Sequence, residues 1–273
     1  MTITSQRVDV PRDGYGRPLI TPVGGGKAIG YTRASTLSDM IEYKGGIAEW
    51  QKRHLLRGIT LRPDLAALAH GKDVDADKKE LNDIAQQAEN ASGRDAKANL
   101  GTAIHSYCEP VDGGGSLDNV PTEYRDLVAA YQQALAEAEL EPVAMETFVV
   151  QDVIKVAGTF DRLLLHRPSR TIYCGDIKTG TDPARYPLGA AVQIAAYAHS
   201  CIYDPATLER FDLPNISHTI GVLIAMPQAG TECTLHALDL EVGWRGARLA
   251  ADVRDYRSSK TARPWETPTA SAN

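Results

Sequence analysis

Nowhere in its 273 residues does the chain hold the unbroken apolar run of about 18 residues that a membrane span requires. Met1 to Val10 also lacks the basic flank and apolar stretch of a secretion signal, so a cytoplasmic protein with no membrane partner is expected. The four cysteines, Cys108, Cys174, Cys201 and Cys233, never approach a Cys-x-x-Cys spacing. Neither a zinc ribbon nor a local iron–sulfur loop is indicated, and buried free thiols are expected. Gly26-Lys27 falls short of a phosphate-binding loop, because Thr21 and Ala28 stand where that motif needs Gly and Ser or Thr. Internal repeats and helicase motor motifs are missing as well. So is an excess of basic charge: the net charge is −6, with 15 Lys and Arg against 13 Asp and Glu in residues 1–100, and 14 against 22 in residues 101–273. That balance disfavours a simple DNA-binding module, which draws on Lys and Arg to meet phosphates. It does not disfavour a nuclease whose carboxylates are offset by bound cations.

What is present is enough to bury a full core, at 43% hydrophobic residues. Residues 1–30, rich in Gly and Pro, read as an irregular arm or short hairpin. Ser35 or Thr36 caps a helix carrying Leu37, Met40 and Ile41, and a second helix carries Ile47, Trp50 and Leu55. Lys44, Lys52, Arg53, Arg57 and Arg62 lie in or beside these helices, either as solvated charges or as contacts to nucleic acid. Further helices are predicted over residues 64–70, 77–90, 94–109 (broken at Pro110) and 121–138. Strands follow over 143–151, 155–165 and 171–178, then a helix over 188–203, strands near 219–226 and 233–238, and a helix over 243–258. The order implies an α/β (α+β) fold with a central mixed sheet flanked by helices. A helical cover over about 31–92, a core over about 93–260 and a flexible tail over 261–273 complete the expected organisation, with 31–260 as one domain.

The most informative stretch runs from Gly158 to Tyr197, where Gly158-Thr159-Phe160-Asp161 precedes Asp176-Ile177-Lys178 and then Gln193-Ile194-Ala195-Ala196-Tyr197. A hairpin closing at Pro168-Ser169 sets Asp161 opposite Asp176, where Cβ atoms lie only about 4.5–5.5 Å apart and like charges repel. Alternation puts Lys178 beside Asp176, and Leu163 and Leu165 on the face of Asp161. Carboxylates at the end of an apolar face are costly unless paired or bound to metal, which points to a Mg²⁺ or Mn²⁺ site bridged by Asp161 and Asp176. The Ile177 carbonyl is a further oxygen for such an ion. His105, with Glu109 one turn later, is either a structural histidine or a ligand that widens tolerance towards manganese. Glu109 is left between a partner of that site and a surface charge. Glu146, expected on the face of Phe148 and Val150, reads as an edge carboxylate, a water-bridged ligand or a partner for Lys178. Lys178 suits orientation or deprotonation of an attacking water, or a plain salt bridge. Gln193 and Tyr197 share one face of an Ala-rich helix, either as donors to a phosphate or to the lysine, or as a mutually satisfied core pair. The backbone of Thr179-Gly180 is a further donor to a phosphate.

On these residues, roughly 95–240 of the chain resembles the PD-(D/E)xK nuclease superfamily, in its RecB-like and phage exonuclease branch. The branch pattern of helical His, strand-leading Glu, Gly-x-x-Asp, Asp/Glu-x-Lys and Gln-x-x-x-Tyr falls on His105, Glu146, Gly158 with Asp161, Asp176 with Lys178, and Gln193 with Tyr197. The resemblance implies a restriction-endonuclease-like core and a Mg²⁺- or Mn²⁺-dependent deoxyribonuclease. Metal would be held by His105, Asp161, Asp176 and the Ile177 carbonyl, and Asp161, Asp176, Lys178, Gln193, Tyr197 and Glu146 would form the catalytic set. No iron–sulfur cluster is expected, because the cysteines do not follow the one-early, three-late plan of cluster-bearing members. DNA ends are the implied substrate, in phage-type resection for recombination or repair, with a single-strand annealing protein as a partner and ring oligomers known in the group. An endonuclease or flap nuclease with the same site, or an inactive binding module, are the alternatives.

Overall fold

The computed structural model describes residues 8–42, 45–228 and 230–259, and of residues 95–98 the backbone only. The tail expected over 261–273 lies outside the described residues, as does Lys44. Short strands β1 (Leu19–Ile20) and β2 (Ile29–Gly30) pair antiparallel within the Gly- and Pro-rich arm, and β3 (Thr32–Arg33) leads into the short helix α1 (Ala34–Ser38). Three helices follow: α2 (Gly45–Leu61), α3 (Pro63–Ala69) and α4 (Lys78–Ala91). Leu65, Ile84 and Ala88 form a small buried cluster among them.

Helix α5 (Arg94–Asp112) and helix α6 (Thr122–Glu137) precede three long strands, β4 (Leu140–Gln151), β5 (Val156–His166) and β6 (Ile172–Gly180). Helix α7 (Pro187–Ala198), strands β7 (Cys201–Tyr203), β8 (Arg210–Asp212), β9 (Ile220–Pro227) and β10 (Thr234–Asp239), and helix α8 (Leu240–Arg257) complete the chain. The fold is α+β. An eight-stranded mixed sheet runs β10-β9-β6-β5-β4-β7-β8, with β3 parallel to β5, and helices cover it.

Two clusters make most of the core. The larger joins α7 and α8 to one face through Val149, Phe160, Leu163, Ile194 and Leu240, and the second joins α5 and α6 to the other through Ile104, Tyr131, Leu164 and Ile177. No helix among the described residues is long and apolar enough to cross a membrane.

Several boundaries differ from the sequence reading, among them the start of β4, at Leu140 rather than residue 143, and the start of α1, which lies before Ser35 and Thr36 so that neither caps it. Helix α5 does not stop at Pro110 but continues to Asp112. Proline forfeits one intrahelical bond there, and the end of the turn is closed instead by Gly113 N–H to Glu109 O (3.3 Å) and Gly115 N–H to Pro110 O (2.9 Å). Helix α7 ends at Ala198 rather than at residue 203, because Cys201-Ile202-Tyr203 is a half-buried run that pairs with both β4 and β8. Helix α8 starts at Leu240, three residues early, capped by Asp239, whose carboxylate accepts from the N–H groups of Glu241 and Val242.

Candidate active site

The β5–β6 ladder runs from Leu165↔Ile172 to Arg162↔Gly175 and stops. Continued by one step, this register sets Asp161 against Asp176, as the turn at Pro168-Ser169 requires. Beyond Gly175 strand β6 follows β9 instead, in parallel out to Gly180↔Pro227, while β3 takes the edge of β5 at Val156 and Ala157. A fork opens along residues 158–161 of β5. Asp161 spans it, its Oδ2 accepting the Ile177 N–H at 2.8 Å. The side chain stands in for the missing ladder bond and satisfies a backbone donor.

Burial pushes the Asp161 and Asp176 carboxyls up to about 6, and the charge of Asp161 is the next largest push on Asp176. Lys178 Nζ lies 2.6 Å from Asp176 Oδ2, an ion pair with a buried oxygen. Burial works to lower the proton affinity of Lys178. Asp176, Asp161 and Glu42 outweigh it and hold the ammonium above its ordinary value. The lysine is therefore charged at neutral pH.

Gln193 ties the group together, its Oε1 accepting from Lys178 Nζ (3.2 Å) while its Nε2 donates to Asp176 Oδ1 (3.1 Å) and to the Tyr197 hydroxyl (3.3 Å). Tyr197 is 5% exposed, and burial, ahead of the Asp176 charge, keeps its hydroxyl protonated. A Cβ at Gly158 would stand 3.0 Å from the Tyr197 ring and hydroxyl, so the glycine of Gly-x-x-Asp clears the space into which the tyrosine packs.

His105 Nδ1 lies 3.5 Å from Asp161 Oδ2, and a hydrogen bond with the Ile177 backbone holds the ring. Burial lowers its proton affinity, against the pull of Asp176, leaving the neutral imidazole that a metal ligand must be. Glu146 precedes Phe148 and Val150, which pack in a third cluster with Tyr31 and Tyr203. Its φ of 48° is rare for a non-glycine residue and breaks the alternation of β4. The break falls opposite Asp161, where β5 also changes face, since Phe160 and Leu163 both lie in the larger cluster. The Glu146 carboxylate lies 3.9 Å from Arg162 Nη1.

Arg162 carries no signal that the sequence reading used, yet it is 0% exposed. Its Nε donates to Asp112 Oδ2 (2.5 Å) and its Nη1 to the Asp161 carbonyl (2.8 Å), while the Tyr131 hydroxyl donates to Asp112 Oδ1 (2.8 Å). A lone arginine set before Leu163-Leu164-Leu165 was the available clue, because a charge in such a strand needs a buried counter-charge. Glu42 was missed too. Its carboxylate lies where a Cβ on Gly189 would be, 1.7 Å from Oε1.

Thr179 and Gly180, expected just past the strand, are still paired with β9. On the cover, Lys52 pairs with Glu49 and Arg62 with Asp64, while Arg53 and Arg57 stand exposed on α2. Among the described residues, no three His, Cys, Asp or Glu side chains gather tightly enough to cage an ion by themselves. The pair fits a hard cation of another kind, one that takes one or two carboxylates and completes its shell with water and substrate oxygens.

No family model and no curated protein matches this chain.

Proposed function

We propose that this protein is a metal-dependent deoxyribonuclease of the PD-(D/E)xK type, acting on DNA ends. The observation that carries the reading is the pair of buried, opposed carboxylates, Asp161 and Asp176, flanked by a charged lysine 2.6 Å from Asp176 Oδ2. Asp161 and Asp176 would hold Mg²⁺ or Mn²⁺, with His105 and the Ile177 carbonyl beside them. The ion, when bound, would polarise a phosphoryl oxygen and acidify water.

The chain's own groups have separate tasks. Lys178, protonated, places positive charge where the phosphoryl oxygens gather negative charge, rather than removing a proton from water. Gln193 fixes Lys178 and Asp176 relative to one another by holding both. Tyr197, wedged against Gly158, keeps that amide in place and brings a hydroxyl into the site. Arg162, donating to the Asp161 carbonyl, sets positive charge behind a carboxylate that must ionise. Glu146 contributes negative charge facing Asp161.

End-labelled linear duplex and covalently closed circles, each incubated with Mg²⁺, Mn²⁺ or EDTA, test the reading alongside Lys178→Ala. Metal-dependent loss of linear DNA alone, abolished in the variant, is the expected result. Cutting of circles would redirect the reading to an endonuclease, and cleavage unaffected by EDTA or by the variant would overturn it.

A further inference from the structure

Strand β6 delivers Lys178 and ends two residues later at Gly180, and residues 181–186 then cross to Pro187, where α7 begins. The Lys178 side chain is partly exposed, so the site opens to solvent where this connection passes. Tyr186 and Leu188, at the head of α7, are 75% and 67% exposed. A single apolar side chain in solvent needs no explanation. These two stand together, on the helix that carries Gln193 to the lysine.

Their footing is firm. Ala184 packs on the larger core cluster midway along the connection, and Arg185 N–H closes a turn on Asp182 O at 3.3 Å. Pro187, in the first turn of the helix, restricts the backbone of the tyrosine before it, and Gly189 and Ala190 beyond are buried. The Arg185 guanidinium lies over the Tyr186 ring, 5.3 Å from its centroid. With one face under that cation and the residue so exposed, the other face is open. Arg185 itself makes no ion pair among the described residues. An open π face beside an uncompensated guanidinium suits a nucleotide: every base has a face to stack, and the arginine meets the phosphate.

We infer that Tyr186 binds the terminal nucleobase of a DNA end, stacking it on the open face of the ring while Arg185 meets the flanking phosphate. The inference rests on the nuclease reading for what is bound. Seven positions, about 10 Å along the axis of α7, separate Tyr186 from Gln193, which holds Lys178. Ring and ammonium therefore serve one short stretch of strand. A closed circle has no terminal base to offer, so the contact favours ends. It does so without reading sequence, because stacking accepts any base.

Tyr186→Ala and Tyr186→Phe test this, with Tyr256→Ala, equally exposed on α8, as the control. The Tyr186 side chain makes no capping bond to α7, so melting temperature should hold in all three. With Ca²⁺ replacing Mg²⁺ to keep the DNA intact, Tyr186→Ala should weaken binding of a short linear duplex about tenfold, as loss of one stacked base does. Binding of a covalently closed circle should hardly change. Tyr186→Phe keeps the ring and should retain most of the affinity for ends.

A second readout locates the base without activity. 5-Iodouracil placed at the terminal position of each strand in turn should photocrosslink to Tyr186, mapped by peptide mass spectrometry. Parental affinity for ends in Tyr186→Ala would overturn the inference, as would equal losses in the Ala and Phe variants, equal losses on ends and circles, or crosslinks confined to other residues. A parent that binds no DNA would overturn it together with the nuclease reading. Crosslinking at Tyr186 in a parent that cleaves nothing would sink the nuclease reading alone, and metal-dependent cleavage with unaltered end binding in Tyr186→Ala would sink the inference alone.

Discussion

Asp161 Oδ2 accepts the Ile177 N–H at 2.8 Å across the gap where β5 and β6 part. One carboxylate therefore has two tasks. It closes the sheet, and it faces Asp176. Asparagine keeps an oxygen for Ile177 and removes the charge. Asp161→Asn should thus be as stable as the parent or more so by about 1 kcal/mol in EDTA at pH 7.5, since functional sites often hold such like-charge repulsion. Cleavage should fall at least a hundredfold or so. Melting curves and a cleavage assay on the same preparation check both halves, and a clear drop in melting temperature would assign Asp161 to structure.

Metal-free stability should depend on pH in a definite sense. Both carboxyls are raised in the folded protein to about 6 from 3.8. Between these values the folded chain holds protons that the unfolded chain has released, so their contribution is favourable at about pH 4 and lost as pH rises through about 6. The urea midpoint of the parent in EDTA should therefore fall between pH 4.5 and 7 relative to the double variant Asp161→Asn/Asp176→Asn. Added Mg²⁺ should recover stability on the neutral side, because an ion that binds only the folded protein stabilises it. A midpoint difference that does not change with pH would contradict the assignment.

Asp112→Asn should be among the most destabilising single changes in the chain. It leaves the wholly buried Arg162 without its nearer anion, with Glu146 3.9 Å away, and breaking a buried pair from one side costs about 3–5 kcal/mol. Replacing both members with apolar side chains, Asp112→Leu/Arg162→Met, should recover much of that loss. Denaturant titration of the three variants decides it.

Gly158→Ala asks Tyr197 to give way by a few tenths of an ångström, since the new methyl would sit 3.0 Å from the ring and hydroxyl. A stability cost of about 1 kcal/mol is expected, within the range for a tightly packed core. Tyr197→Phe in the same chain should relieve part of it, because the hydroxyl is one of the two crowded atoms. A double-mutant cycle on melting temperature would show the coupling.

The fold class and the strand pair that carries the acids were legible in the sequence for a local reason. A hairpin's register is set by its turn, and the turn at Pro168-Ser169 placed Asp161 against Asp176 from symmetry alone. Gln193 and Tyr197 were legible because polar residues at helical spacing in an alanine-rich helix stand out. Pro110 misled because helix-breaking is a local rule, whereas the reason for continuing lies in Asp112 reaching Arg162 from a distant strand. Cys201 to Tyr203 were assigned to the preceding helix because a short apolar run does not disclose its partners, here β4 and β8. Glu146 was placed by alternation, a rule that gives no sign of its left-handed φ. Glu42 had no signal at all, since nothing in its neighbourhood names Gly189.

Helix α5 touches strand β5 at two consecutive residues, His105 at Asp161 and Asp112 at Arg162. The two contact points are seven positions apart, about 10 Å along the helix axis. The helix is in effect a beam pinned past its middle and at its C-terminal end, and it cannot slide or roll at one pin without straining the other. The alignment of His105 is therefore preset by a salt bridge that touches no substrate. Drift in this site would begin at the far pin, so Asp112 is a residue whose loss would blur the chemistry from a distance.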